Sequence, residues 1–172
     1  MKGLHRWTTT ALGLVLSAAV LAAIAMLAGC TASSGTASRG VAPDFSGTTL
    51  GGAQVSLGDY QGEPLVLVFM ASWCAPCRAE APEIEEFYLE NKDRAAVLGV
   101  AVQDSEEDLS ALMADNGWTF PVMFDGTAAA YAYGVTSIPT TVVIDPEGHI
   151  VKKTVGGTTA AKLSLVIDGI TR

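Results

Sequence analysis

Cysteine and histidine are scarce in this chain, and their scarcity narrows the chemistry it can perform. Three cysteines and two histidines stand among 172 residues. Cys30 and His5 fall in the N-terminal thirty residues, which leaves Cys74, Cys77 and His149 for the rest. A closed tetrahedral zinc site takes four ligands. Here it would have to add His149 and a carboxylate to the cysteine pair, so no metal is expected. Basic residues are few as well. Formal net charge is −8, and setting aside Lys2 and Arg6 leaves 8 basic against 18 acidic side chains. Nucleic acid is excluded on that balance, because phosphate neutralisation needs a basic patch. The sequence also lacks internal repeats and long low-complexity blocks. Its length suits about one domain.

The first thirty residues read as a leader. Lys2, His5 and Arg6 make a positive start, Ala11–Leu27 is an apolar run, and Leu27-Ala28-Gly29-Cys30 closes it with small residues. That order is the pattern of a secretory signal. The ending resembles a bacterial lipobox, which implies that Cys30 becomes the first mature residue and is lipidated on sulfur. A diacylglyceryl group with an amide-linked acyl chain supplies the more than one chain that stable anchoring takes. The alternative is an uncleaved transmembrane anchor, since 17 apolar residues nearly span a thin bilayer. Either way the folded part is expected in the bacterial cell envelope, membrane-anchored and facing the periplasm or the exterior. Residues 31–42 are rich in Ser, Thr, Ala and Gly and read as a flexible tether. The predicted division is therefore signal 1–29, lipidated Cys and tether 30–42, and folded domain 43–172.

Within the domain, Phe45–Leu50 and Ala53–Leu57 flank Gly51-Gly52, a hairpin signal. Gly58–Glu63 reads as a polar loop. Leu65–Met70 (LVLVFM) is a continuous apolar run of strand length, suited to a strand buried on both faces. A helix is predicted from about Ala75 to Asn91, with Pro76 in its first turn, where a missing N–H costs nothing, and Pro82 kinking it. Ala96–Val102 is a second buried strand. Ser105 caps a helix with first-turn acids that ends near Gly117. Val122–Phe124 is a strand, Ala128–Tyr133 a short helix, and Thr140–Ile144 and His149–Val155 a closing hairpin. Thr158 is predicted to cap a last helix. The order implies an α/β domain with a mixed central sheet flanked by helices. Tyr131 and Tyr133 are read as core residues, and Trp118 and Phe120 as packing or groove residues.

The segment Trp73-Cys74-Ala75-Pro76-Cys77 falls where a buried strand meets a helix. A first helical turn has unpaired N–H groups, and aligned peptide dipoles favour negative charge there. Cys74 at that point should have a larger thiolate fraction. Cys77 lies one turn on, placed to attack a mixed disulfide formed by Cys74. Zinc sites use the same spacing, and a purely structural disulfide is the other alternative. A bridge between residues three apart closes too short a loop to be a useful staple.

Strand–WCxxC–helix, followed by Gly134-Val135-Thr136-Ser137-Ile138-Pro139-Thr140, resembles the thioredoxin superfamily from about Pro43 onward. The resemblance implies that Pro139 is cis and packs beside the cysteines, and that Ile138 offers its backbone to substrate in β-fashion. Trp73 and Pro76 would then border the substrate. Within the superfamily the chain is similar to the TlpA/ResA group, on its N-terminal hairpin, the Leu57–Pro64 loop, Ala71-Ser72-Trp73-Cys74, Glu80 three residues after Cys77, and an inserted strand–helix unit (Ala96–Asn116). Cytosolic thioredoxins carry a buried Asp six residues before the first Cys, where this chain has Val68; in the TlpA/ResA group a Glu at the position of Glu80 lies beneath the site. That implies proton transfer to the resolving thiol by a partly buried Glu80; the alternative is a solvated helical carboxylate. Met70 departs from the aromatic residue often found there.

The resemblance implies an extracytoplasmic thiol–disulfide oxidoreductase, Cys74–Cys77 being its redox-active disulfide with no other cofactor. Expected partners are protein thiols or disulfides and a membrane electron-transfer protein, with the chain a monomer. A reductase, possible in cytochrome c maturation, is favoured because Ala75-Pro76 lacks the His of strongly oxidising members. The alternatives are an oxidant of secreted-protein thiols and a peroxiredoxin-like peroxidase. The last places a Thr three residues before its peroxidatic Cys, and here that position is Ala71.

Overall fold

The computed structural model describes residues 40–171. The leader, Cys30 and the tether to Arg39 lie outside the described residues. Twelve elements follow in order: β1 (Ser46–Thr49), β2 (Gln54–Ser56), a 3-10 turn (Leu57–Tyr60), β3 (Leu65–Met70), α1 (Ala75–Glu90), β4 (Ala96–Ala101), α2 (Glu106–Asn116), β5 (Val122–Phe124), α3 (Thr127–Ala132), β6 (Thr140–Ile144), β7 (Ile150–Val155) and α4 (Ala160–Ile170). They build a mixed seven-stranded sheet of order β2-β1-β5-β4-β3-β6-β7.

β3 is central because all six of its side chains are apolar and buried. It pairs in parallel with β4, Leu65 opposite Ala96 through Met70 opposite Ala101. On its other side it pairs antiparallel with β6, Leu65 opposite Ile144 through Phe69 opposite Thr140. Alternation along the strand divides the core. Val66, Val68 and Met70 pack with Ile84 and Phe87 of α1, Leu109 of α2, and Leu163 and Ile167 of α4. Leu65, Leu67 and Phe69 pack on the other face with Phe45, Ala129, Ala130 and Tyr133. Burying each large apolar side chain contributes about 1.5–3 kcal/mol.

Several boundaries differ from the sequence reading. Leu57–Tyr60 is a 3-10 turn rather than open loop; Asp59 closes it by accepting the Ser56 N–H and hydroxyl. α1 runs through Pro82 as one helix, as the sequence reading has it. Gly40–Ala42, read as the end of a tether, is tied to the closing hairpin instead. Val41 bridges His149, Ala42 N–H donates to Gly148, and Ile150 N–H donates to the Gly40 carbonyl. Ser105 caps α2 and Gly117, at φ 66°, ends it, both as expected.

Candidate active site

Parallel strands deliver loops to their C-terminal ends, and the two cysteines sit there. β3 leads through the turn Ala71–Cys74 into α1, with Cys74 N–H donating to the Ala71 carbonyl at 3.2 Å. Cys74 is the N-cap of α1, its side chain accepting the Cys77 N–H at 3.2 Å. Cys74 and Cys77 are joined by a disulfide with Cα atoms 5.2 Å apart. The N-cap position thus aims a backbone N–H and the helix's positive end at the Cys74 sulfur. Pro76, in the first turn, removes an N–H that no carbonyl of the helix would have met.

The Ile138–Pro139 peptide is cis. Antiparallel pairing of Thr140 with Phe69 brings this bond to the same sheet end as Cys74. Ile138 packs against the cluster that holds both cysteines. Trp73 is 58% exposed, and its indole N–H donates to the Gln103 carbonyl at 2.9 Å. Between Trp73 and Ile138 runs a groove of about 300 Å³, walled also by Gln103, Tyr131, Val135 and Thr136 and lined by no charged side chain.

Glu80 is not a solvated helical carboxylate. It is 5% exposed, one turn beyond Cys77. One carboxylate oxygen accepts the Thr158 N–H at 2.8 Å and the Thr141 hydroxyl at 3.5 Å. Burial pushes its pKa up, opposed by those two hydrogen bonds. The folded chain therefore holds the Glu80 proton to a higher pH than the unfolded chain does. The stability this proton contributes is complete below the ordinary Glu value and is lost as pH rises through the shifted one. Glu80→Gln keeps the acceptor oxygen without the charge. Its denaturation midpoint, relative to the parent's, is expected to rise as pH increases from about 4 and to level off once the pH has passed the shifted Glu80 value. A pH-independent difference would contradict a raised Glu80 pKa.

Two sequence expectations fail here. Thr158 does not cap the last helix: its N–H is committed to Glu80, and the next residue, Thr159, caps α4. Tyr131 is not core but 89% exposed on the groove's rim, whereas Tyr133 is buried. Phe120 is buried and Trp118 packs at the edge of the same core cluster, neither of them in the groove. Sequence reasoning also missed Glu85, which is buried and accepts hydrogen bonds from Thr119 and Phe120. A signal for it existed, since Glu85 stands four residues after buried Ala81, inside the apolar stripe of α1. Gln103 and Asp104 carry no such signal.

A disulfide at a helix N-terminus, beside a cis-proline at the end of a mixed sheet, defines a thioredoxin-like thiol–disulfide oxidoreductase. The chain belongs to the AhpC/TSA family, which it matches over residues 39–153. It is 37% identical over 130 residues to the thioredoxin-like protein YneN of Bacillus subtilis, covering 74% of this chain and 76% of that one. To the thiol-disulfide oxidoreductase ResA of Bacillus thuringiensis it is 33% identical over 133 residues, 76% of each chain. Among solved structures, a thioredoxin-family thiol:disulfide interchange protein of Chlorobium tepidum superposes with a TM-score of 0.71 at 28% identity, over 77% of this chain and 96% of that one.

Proposed function

We propose that this oxidoreductase reduces disulfides of protein substrates outside the cytoplasm, with Cys74 as nucleophile and Cys77 as resolving thiol. The observation that carries the reading is the uncharged groove between Ile138 and Trp73, the residue before Cys74. Among the described residues neither the N–H nor the carbonyl of Ile138 has a hydrogen-bond partner, so both are free to pair with an extended chain. In the reaction the Cys74 thiolate attacks one sulfur of the substrate disulfide, and the other leaves as a thiolate that takes a proton. The Cys77 thiol gives up its proton and its sulfur attacks Cys74. The second substrate thiolate departs, and the two electrons of the dithiol have passed to the substrate. In this reading Glu80, one turn from Cys77 on α1, takes that proton. Trp73 and Pro76 border the docked segment.

The finer reading is a lipoprotein held through Cys30, re-reduced by a membrane electron-transfer partner and acting as a monomer, with apocytochrome c disulfides among its targets. The similarity to ResA supports it, as does the lack of His between the cysteines. Direction is tested by the reduction potential of Cys74/Cys77, read by alkylation after equilibration in thiol buffers. A value near that of thioredoxin, about −270 mV, is expected; one near DsbA, about −120 mV, would make the protein an oxidant.

A further inference from the structure

The loop that follows β4 crosses the site end of the sheet and grips the approach to the cysteines. Asp104 accepts the Ser72 N–H at 2.5 Å, the Ser72 hydroxyl at 2.7 Å and the Ser105 N–H at 2.9 Å. The Ser72 carbonyl accepts the Arg78 guanidinium at 3.1 Å. Every polar group of Ser72 is thereby occupied. Beside it the Gln103 carbonyl holds the Trp73 indole at 2.9 Å, and the Gln103 N–H donates to the Thr127 hydroxyl at 3.3 Å. Gln103 does this at φ 51°. Non-glycine residues rarely occupy that region, and such strain collects where the surroundings over-determine a functional geometry.

Trp73 cannot be fixed by burial, because more than half of it is exposed. Its orientation rests on the indole hydrogen bond and on the clamped residue before it. Trp73 and Gln103 together form one wall of the groove, facing Val135–Ile138. The partners of each bond lie 30 or 32 positions apart in sequence, so the contacts do more than shape their own loop.

We propose that Gln103 and Asp104 are positioning residues: they clamp Ser72 and Trp73 so that the indole stands as a fixed wall against which a substrate segment docks. This rests on the reading that a protein segment fills the groove. Its chemistry would touch neither sulfur, so small disulfides that need no groove should be indifferent to it.

The test reads two quantities on the full chain. The first is the Trp73 indole N–H in two-dimensional NMR, assigned by its loss in Trp73→Phe. Asp104→Ala is expected to speed its hydrogen exchange; Gln103→Pro, which cannot hold positive φ, should do the same. Gln103→Asn, whose side chain tolerates that region, should leave it protected. The second is turnover with insulin against bis(2-hydroxyethyl) disulfide. Asp104→Ala should raise KM for insulin about fivefold to tenfold, because the bonds lost hold the docking wall rather than the substrate itself. Reduction of the small disulfide should stay within about twofold of the parent, a difference too small for one lost hydrogen bond. In a Trp73→Ala background Asp104→Ala should add nothing further. Unchanged indole exchange, or an equal rise in KM without Trp73, overturns the clamp. A parent chain that reduces neither disulfide overturns the functional reading instead, and the indole exchange then decides the clamp by itself.

Discussion

Cys74→Ser is expected to abolish disulfide exchange, lowering the rate by at least about 10³-fold, while Cys77→Ser stalls after one half-reaction. The asymmetry follows from position on α1. Cys74 is the N-cap, with the Cys77 N–H aimed at its sulfur, and negative charge is favoured at a helix start. A serine hydroxyl there is neither ionised near neutral pH nor able to form a disulfide. Cys77 lies inside the first turn, more deeply buried than Cys74. Without Cys77 the first attack still proceeds, but no second thiol reaches the mixed disulfide. Stopped-flow measurement with a peptide disulfide should therefore show one fast substrate thiol released per molecule of Cys77→Ser, the half-reaction, and none for Cys74→Ser. Comparable multiple turnover in both variants would contradict the assignment.

A substantial loss of stability is expected from removing the Glu85 carboxylate. Its carboxylate accepts the Thr119 N–H at 2.8 Å, the Thr119 hydroxyl at 2.6 Å and the Phe120 N–H at 3.1 Å, tying α1 to the chain entering β5. Phe120 is itself buried. Glu85→Ala strands the buried Phe120 N–H, at about 1–3 kcal/mol, whereas exposed Thr119 can turn its two donors to water. The expected total is about 2 kcal/mol, or roughly 7 °C in Tm for a domain of this size. Glu85→Gln should lose less, because its amide oxygen still accepts. Urea denaturation at neutral pH checks both. A loss under about 1 kcal/mol for the alanine variant would mean that the Thr119–Phe120 segment re-satisfies its donors, contrary to the packing described.

How much of this was legible in the sequence depends on the range of the interaction. β3 was read residue for residue, because a strand buried on both faces is written as an uninterrupted apolar run. The start and stop of α2 were readable from Ser105 and Gly117, since capping is local. The redox pair was legible because two cysteines at that spacing have few other uses in this chain. What escaped depends on partners far away in sequence. Thr158 and Thr159 are equally good caps, and only the Glu80 carboxylate, 78 positions from Thr158, decides between them. Asp104 looks like a surface acid until the fold brings Ser72 to it, and the place of Glu85 in the apolar stripe of α1 signals burial but not its partners Thr119 and Phe120. Tyr131 and Tyr133 stand two apart at the end of α3, on nearly opposite sides. One had to face outward, and Phe45 and Phe69 claim Tyr133. The pairing of Gly40–Ala42 leaves no mark in a Gly- and Ala-rich stretch, because it uses backbone groups.

The central claim is that substrate sulfur bonds to Cys74 and that Cys77 resolves the bond. Its most direct test is to express Cys77→Ser and Cys74→Ser separately, quench the cells in acid, and map mixed disulfides by mass spectrometry of non-reduced peptides. The expected result is protein adducts on Cys74 in the first variant and almost none on Cys77 in the second. Adducts on Cys77 in Cys74→Ser, as abundant as those on Cys74 in its counterpart, would contradict the account.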